Sequence, residues 1–227
     1  MQTRRDFLRN VSAAGPAALF LPSLLAQEAQ PSSLVEVTGE QREAVRRGLD
    51  HLAKLQTRSG AIGMSTQVAF TSLACLAFMA NGSTPRRGMY AKPLREGLQF
   101  ILRCCGQSGY INESAGRGMG GSGMHGHGYA TWFLAELLGM CGGDDVIGDE
   151  TVKEKLVKAV KVIEASQDPN GGWTYEPSPY GHEGSVTVTQ AQALRAARNV
   201  GVAVSTKTIN KGVDYIKKST MGDGTIV

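Results

Sequence analysis

The sequence predicts an all-α protein made of helix pairs stacked in two layers, about three and a half pairs in all. Three observations carry this: an apolar face at helical spacing that occurs four times, a glycine at a fixed distance after each copy, and a second, less charged apolar helix between copies. The four faces start at Val45, Leu94, Leu156 and Ile209. Four residues on stand Leu49, Leu98, Val160 and Val213, and seven on stand Leu52, Ile101, Ile163 and Ile216. Spacing of i, i+4, i+7 puts each trio on one side of a helix.

Fifteen residues after each start comes a glycine: Gly60, Gly109, Gly171 and Gly224. Two further on is an apolar residue: Ile62, Ile111, Trp173 and Ile226. Glycine makes up only 29 of the 227 residues, so four matches at one offset are not composition alone. The pattern predicts a turn of positive φ after each helix, which glycine adopts without steric cost, pinned to the core by the apolar residue that follows.

Between the starts lie three further apolar helices. Their predicted stripes are Ala69, Leu73, Leu76 and Ala80; Ala130, Phe133, Leu137 and Leu138; and Ala191, Leu194 and Ala197. These helices are rich in alanine and poor in charge, so they belong inside, packed on both sides. The first set carries Arg46, Arg47, Lys54, Lys155, Lys158 and Lys161 and belongs outside, facing water. No useful stretch alternates with period two, so little or no sheet is expected.

The first 26 residues have the three parts of an export signal: Thr3-Arg4-Arg5-Asp6-Phe7-Leu8-Arg9, an apolar run from Val11 to Leu25, and a small-residue end at Ala26. Arg-Arg-x-Phe-Leu is the twin-arginine form. The run has about 15 residues where a membrane span needs about 20, so no stable span is expected after signal removal. The expected organisation is a signal at 1–26, a linker at 27–39 and a repeat domain at 40–227, in a protein that is periplasmic or otherwise exported.

The net charge of +4 falls to +2 once the signal is set aside, and no basic stripe with interleaved aromatics occurs, which argues against a nucleic-acid partner. The four cysteines do not read as a disulfide framework, because Cys104 and Cys105 are adjacent and Cys75 lies in an apolar helix. Four free, mostly buried thiols are expected, with Cys104 or Cys105 joined to Cys141 as the alternative.

Gln167-Asp168-Pro169-Asn170-Gly171-Gly172-Trp173 resembles the Gln-x(n)-Gly-x-Trp motif of the prenyltransferase and squalene-cyclase repeat, and Gln56-Thr57-Arg58-Ser59-Gly60-Ala61-Ile62 is similar to a degenerate copy. The segments Gly126–Thr131, leading into Phe133-Leu134-Ala135-Glu136, and Ser185–Gly201 resemble the inner helices of exported planctomycete-type members of that superfamily. The likeness covers residues 40–227. It implies an α/α toroid, here a partial one. Members close a ring of more helix pairs than this chain carries, which implies that missing repeats or a partner chain complete it.

What the resemblance implies for chemistry is narrowed by the residues present. The Asp-x-Asp-Asp acid of the terpene cyclases is absent. The only paired aspartates, Asp144 and Asp145, are expected in a solvated loop, and an aromatic content of 6% is thin for a carbocation cage. No segment matches the Asp, Cys and His zinc set of the protein prenyltransferases, and the thioester sequence Gly-Cys-Gly-Glu-Gln is missing. No cofactor is required.

The most unusual stretch is Gly116–Gly128, with seven glycines in thirteen residues, ending Met124-His125-Gly126-His127-Gly128 just before the predicted second inner helix. Two readings stand side by side. His125 and His127 bind a metal or an anionic group at the cavity mouth, or the glycines permit a tight descent and one histidine caps the helix. His182 and Glu183 occupy the corresponding place before the third inner helix. Glu136, Thr187 and Gln190 are polar residues in apolar helices: Glu136 pairs structurally or lines the cavity, and Thr187 and Gln190 are candidate cavity residues.

The expected function is an exported binding or scaffold module without catalysis, whose concave face takes an apolar or extended ligand: a lipid, peptide or glycan. The alternative is an isoprenoid- or lipid-processing enzyme using His125, His127, His182 and Glu136. A polysaccharide lyase of toroid form would call for a basic, aromatic-rich groove, which the sequence does not display.

Overall fold

The computed structural model describes residues 37–113, 123–145 and 149–225. The twin-arginine segment, the linker as far as residue 36, the greater part of the glycine-rich stretch and Ile226 lie outside the described residues. Seven α-helices occur among those described: α1 Gly39–Lys54, α2 Gln67–Ala80, α3 Ala91–Cys104, α4 Gly123–Asp145, α5 Asp149–Ala165, α6 Gly184–Asn199 and α7 Thr206–Lys218. Among the described residues there is no β-strand, and the only bridges are the isolated pairs Gln56–Ile62 and Cys105–Ile111.

The helices form the two layers of a partial α/α toroid. The inner helices α2, α4 and α6 pack side by side, α4 between the other two, and each also touches the outer helix that follows it, α3, α5 or α7. Both layers share one core, in which Phe78, Leu94, Ile101, Phe133, Leu156, Ile163 and Trp173 are fully buried. At about 1.5–3 kcal/mol for each large apolar side chain removed from water, this seam is the main source of stability.

All four turn glycines have positive φ: +88° at Gly60, +94° at Gly109, +98° at Gly171 and +87° at Gly224. Each closes the same loop. The N–H of Thr57, Gly106, Asp168 and Met221 donates to the carbonyl four residues on, at 2.9, 2.9, 3.0 and 2.7 Å. The first three glycines also carry the next outer helix. A Cβ on Gly60, Gly109 or Gly171 would overlap the backbone of Glu96, Lys158 or Lys211, always the third residue of the repeat face counted from its start. Gly224 has no such neighbour within 4 Å.

A glutamine fastens two of the turns. Gln56 Nε2 donates to its own loop at Gly60 O (3.0 Å) and across to Pro93 O at the start of α3 (2.8 Å). Gln167 Nε2 repeats this with Gly171 O and Thr208 O, both at 3.0 Å. The motif glutamine is thus a clamp between successive outer helices. Cys105 takes its place in the second repeat, where only a thiol contact to Gly106 O remains.

The inner helices differ from expectation in two ways. The predicted stripe of α2 falls partly on its open side, with Leu73 exposed, while Val68, Thr71, Ser72, Cys75 and Phe78 are buried. These helices are enclosed on most sides, so a single apolar stripe does not mark the core. In addition, Met124–Gly128 and the pair Asp144–Asp145 are not loop: α4 begins at Gly123 and runs through Asp145. Packing outweighs the cost of about 1 kcal/mol per helical glycine. Gly128 lies so close to α6 that a Cβ would stand 2.8 Å from Gln190 Nε2 and Thr189 Oγ1, and Cys141 draws the last turns of α4 into the core.

None of the four cysteines is in a disulfide, Cys75 and Cys141 being buried and the other two half-buried, so the alternative pairing with Cys141 is not formed. Burial, and then the charge of Glu113, pushes the Cys104 thiol up to about 11.

The glycine turns give a direct test. Gly171→Ala is expected to lower stability by about 3 kcal/mol, combining left-handed strain with overlap on the Lys211 backbone. Gly224→Ala, strained but uncrowded, is expected to cost about 1–2 kcal/mol. Urea denaturation of the two variants measures the difference; equal losses would show that the glycine does not carry the neighbouring helix.

Candidate functional site

The repeat register explains the two histidines of α4. In the first repeat the N–H of the turn residue Ile62 donates to Thr71 Oγ1 at 2.8 Å, and in the third the N–H of Trp173 donates to Thr187 Oγ1 at 3.0 Å. In the second repeat the corresponding N–H, that of Ile111, donates to His127 Nδ1 at 3.1 Å. Thr71, His127 and Thr187 are therefore the same position. His127 is fully buried, and because Nδ1 accepts, Nε2 carries the proton and donates to Ala159 O of α5 at 3.1 Å. Both ring nitrogens are engaged, which leaves no lone pair for a metal. Burial lowers its pKa from 6.5 to about 4 against the smaller, opposing effect of the Ala159 bond.

Thr187 and Gln190 are also inside the layer. Thr187 is buried under the third turn and its hydroxyl donates to Glu183 O at 2.8 Å. Gln190 Nε2 donates to Met124 O (2.7 Å) and Thr189 Oγ1 (2.9 Å), so it ties α6 to the first turn of α4, while its Oε1 is buried without a partner.

The surface open to a ligand is the free side of the inner layer. On α4 its least buried residues are His125, Tyr129, Trp132, Glu136 and Met140, at helical spacing; on α6 they are Ser185, Val188, Gln192 and Arg195. At the N-terminal ends of these two helices a polar row forms. Glu183 caps α6, accepting from Val186 N at 3.0 Å and from Ser185 Oγ. These two bonds, with the Ser185 hydroxyl foremost, hold its carboxyl below the usual range. His125 Nε2 lies 2.9 Å from the same Ser185 Oγ. An ionised carboxylate only accepts, so the one hydroxyl proton of Ser185 goes to Glu183 and His125 Nε2 is the donor to Ser185. Such a serine is not activated for attack, because its histidine gives a proton instead of taking one.

A tyrosine borders this row. Tyr175 packs on His125 with ring centroids 5.5 Å apart, and its carbonyl accepts from Met124 N at 2.8 Å. Tyr180, on the same loop, is 82% exposed, and Tyr175 is 52% exposed. His182 is exposed nearby in sequence, its Nδ1 3.2 Å from Tyr215 OH and the two rings edge to face. Glu136 is exposed further along α4 and accepts from Trp132 Nε1 at 3.0 Å. Of the sequence candidates, then, His125 joins a polar cluster with Ser185 and Glu183, whereas His127, His182 and Glu136 are separate from it. Tyr175, Tyr180 and Ser185 were not singled out by sequence; the signal available was the tyrosine spacing in the loop before α6. Among the described residues no three His, Cys, Asp or Glu side chains are placed to hold a metal, and no helix is long and apolar enough to cross a membrane.

A two-layer arc of antiparallel helix pairs with an open inner face defines the chain as an α/α-toroid protein. No family model and no curated protein matches it. Among solved structures it is similar to a polysaccharide lyase (TM-score 0.61, 17% identity, covering 84% of this chain and 58% of that one). It is also similar to a glycosyl hydrolase family 88 protein from Bacteroides vulgatus (TM-score 0.62, 18% identity, 84% and 59%). The chain thus spans less than two thirds of either. The likeness is one of fold. It supports the α/α toroid and does not single out the prenyltransferase and squalene-cyclase branch that the Gln-Gly-Trp motif resembles.

The position shared by Thr71, His127 and Thr187 yields a pH prediction. Between pH 6.5 and about 4 the unfolded chain binds a proton at His127 that the folded chain excludes. Stability is therefore complete above that interval and falls as pH drops through it, by up to roughly 3 kcal/mol. His127→Thr, the residue used in the other two repeats, is expected to remove this acid sensitivity. Denaturant midpoints on both sides of the interval measure it, and an unchanged pH slope in the variant would refute the assignment.

Proposed function

We propose that the chain is an exported glycan-binding module, which takes an extended oligosaccharide across the N-terminal ends of α4 and α6. The observation that carries this is an exposed tyrosine, Tyr175, packed on a hydrogen-bonded polar row of His125, Ser185 and Glu183, with a second exposed tyrosine, Tyr180, on the same loop. A sugar ring offers an apolar C–H face and a girdle of hydroxyls. An aromatic platform beside donors and acceptors matches both, whereas a wholly apolar ligand leaves the polar row unpaired. That the two structural neighbours are named for polysaccharide and glycoside chemistry supports a glycan over a lipid or peptide.

Binding is favoured over catalysis at this rim by the direction of its protons. Ser185 donates to a carboxylate, and His125 donates to Ser185, so neither is poised as a nucleophile with its base. Export follows the twin-arginine reading of residues 1–26 and is part of the same proposal.

Titration calorimetry with neutral and uronate-containing tetra- to hexasaccharides tests it. At least one is expected to bind with Kd below about 1 mM, and Tyr175→Ala or Tyr180→Ala to weaken it about tenfold without changing the melting temperature. Absence of binding across the panel, or indifference to both tyrosines, counts against the rim as a glycan site.

A further inference from the structure

A second opening lies further along α4, on the side that faces α2. It is a cleft of about 700 Å³ between α2 and α4, walled by Leu76, Ala77, Met79, Ala80, Trp132, Glu136, Gly139 and Met140. Seven of these eight side chains or backbone positions are non-ionisable and mainly apolar. The eighth is a carboxylate. Glu136 is tied to Trp132, whose Nε1–H donates to Oε1 at 3.0 Å, and it takes part in no salt bridge among the described residues.

The sequence explains the isolation of this charge. Gln67–Ala80 has no charged residue, and Gly123–Asp145 has no lysine or arginine. No cation of either wall neutralises Glu136.

We propose that this cleft is a receptor for an amphiphilic organic cation, an alkylammonium with its head against Trp132 and Glu136 and its chain over Leu76, Ala77, Ala80 and the two methionines. The other ligand classes fit less well. A glycan needs many polar partners and finds one. An anionic amphiphile is repelled by the carboxylate, and a neutral hydrocarbon desolvates that carboxylate without compensation. A cation satisfies the carboxylate and gains from an indole neighbour, while unbranched thioethers adapt to a flexible chain. The proposal is independent of the glycan reading, which concerns the N-terminal rim.

Trp132 provides the readout, since the only other tryptophan in the chain, Trp173, is buried in the core. Fluorescence of the whole protein is titrated with decyltrimethylammonium, decyl maltoside and decanoate, each below its micelle-forming concentration. The ammonium is expected to give a saturable change and the other two to bind at least about tenfold more weakly. Glu136→Gln is expected to weaken the ammonium by a similar factor, and Tyr180→Ala to leave it unaltered. Equal binding of all three amphiphiles to the unmodified protein, or full affinity in Glu136→Gln, would overturn the proposal. The comparison of the three head groups decides the matter even if the variant is unstable.

Discussion

The architecture depends on one contact: a turn glycine seated against the backbone of the next outer helix. Positive φ at Gly60, Gly109 and Gly171 reverses the chain, and the missing Cβ lets the following outer helix approach until its carbonyls almost touch the turn. Everything else in the repeat is registered to that seat. In two of the three the glutamine two residues beyond the outer helix spans the same junction, and in all three the apolar residue after the glycine enters the core and its N–H points at the inner helix. The wedge is fixed by shape and by a buried hydrogen bond at all three turns, and by a side-chain clamp as well at two, so successive pairs turn through the arc of a toroid instead of stacking at random angles.

This way of building frees the inner face. Because junctions between pairs are made at the turns and along the flanks where inner helices pack side by side, the open side of α4 and α6 contributes little to holding the arc, and its residues vary in chemistry along the helices. Toward the N-terminal ends of α4 and α6 they are polar, with Tyr175 packed beside them; further along α4, where it faces α2, they are apolar around one carboxylate, Glu136. The same scheme explains the ends of the arc. The outer face that is buried in α3 and α5 at Leu98, Ile101, Val160 and Ile163 is partly open in α7, where Val213 and Ile216 are 43% and 39% exposed beside a cavity of about 500 Å³. α5 packs against α6, the inner helix that follows it, as well as against α4, and α7 has no following helix among the described residues.

The junctions were legible in the sequence because they are local and periodic. A glycine fifteen residues after an apolar face, four times over, is a pattern that no tertiary information is needed to find, and the two-layer assignment followed from the difference in charge between the helix sets. The inner helices were less legible. Packed on several sides, they lack a single apolar stripe, so the spacing argument placed Leu73 in the core when it is on the open face. The glycines of Met124–Gly128 misled in the same way: read by propensity they are loop, but a helix pressed against two neighbours uses small residues to come close, and α4 swallowed the segment.

The site was hardest to read because function and structure draw on the same residue types. His127 and His125 are two apart and look equivalent as potential ligands, yet a helix sets them some 200° apart. One therefore faces the layer and serves as the second repeat's counterpart of Thr71 and Thr187, while the other faces outward and meets Ser185. Only the register of the turn hydrogen bond separates them, and that register needs the inner helices aligned on Thr71 and Thr187, which carry no histidine to draw attention. The same holds for Glu136. In the sequence it is a polar interruption that wants a buried partner; in the fold its partner is an indole on its own helix, and its charge is left to the cleft. The chemistry of this chain is thus carried by residues that break the repeat on its open side, and residues that break it on the packed side, His127 first among them, keep the structural role of the residue they replace.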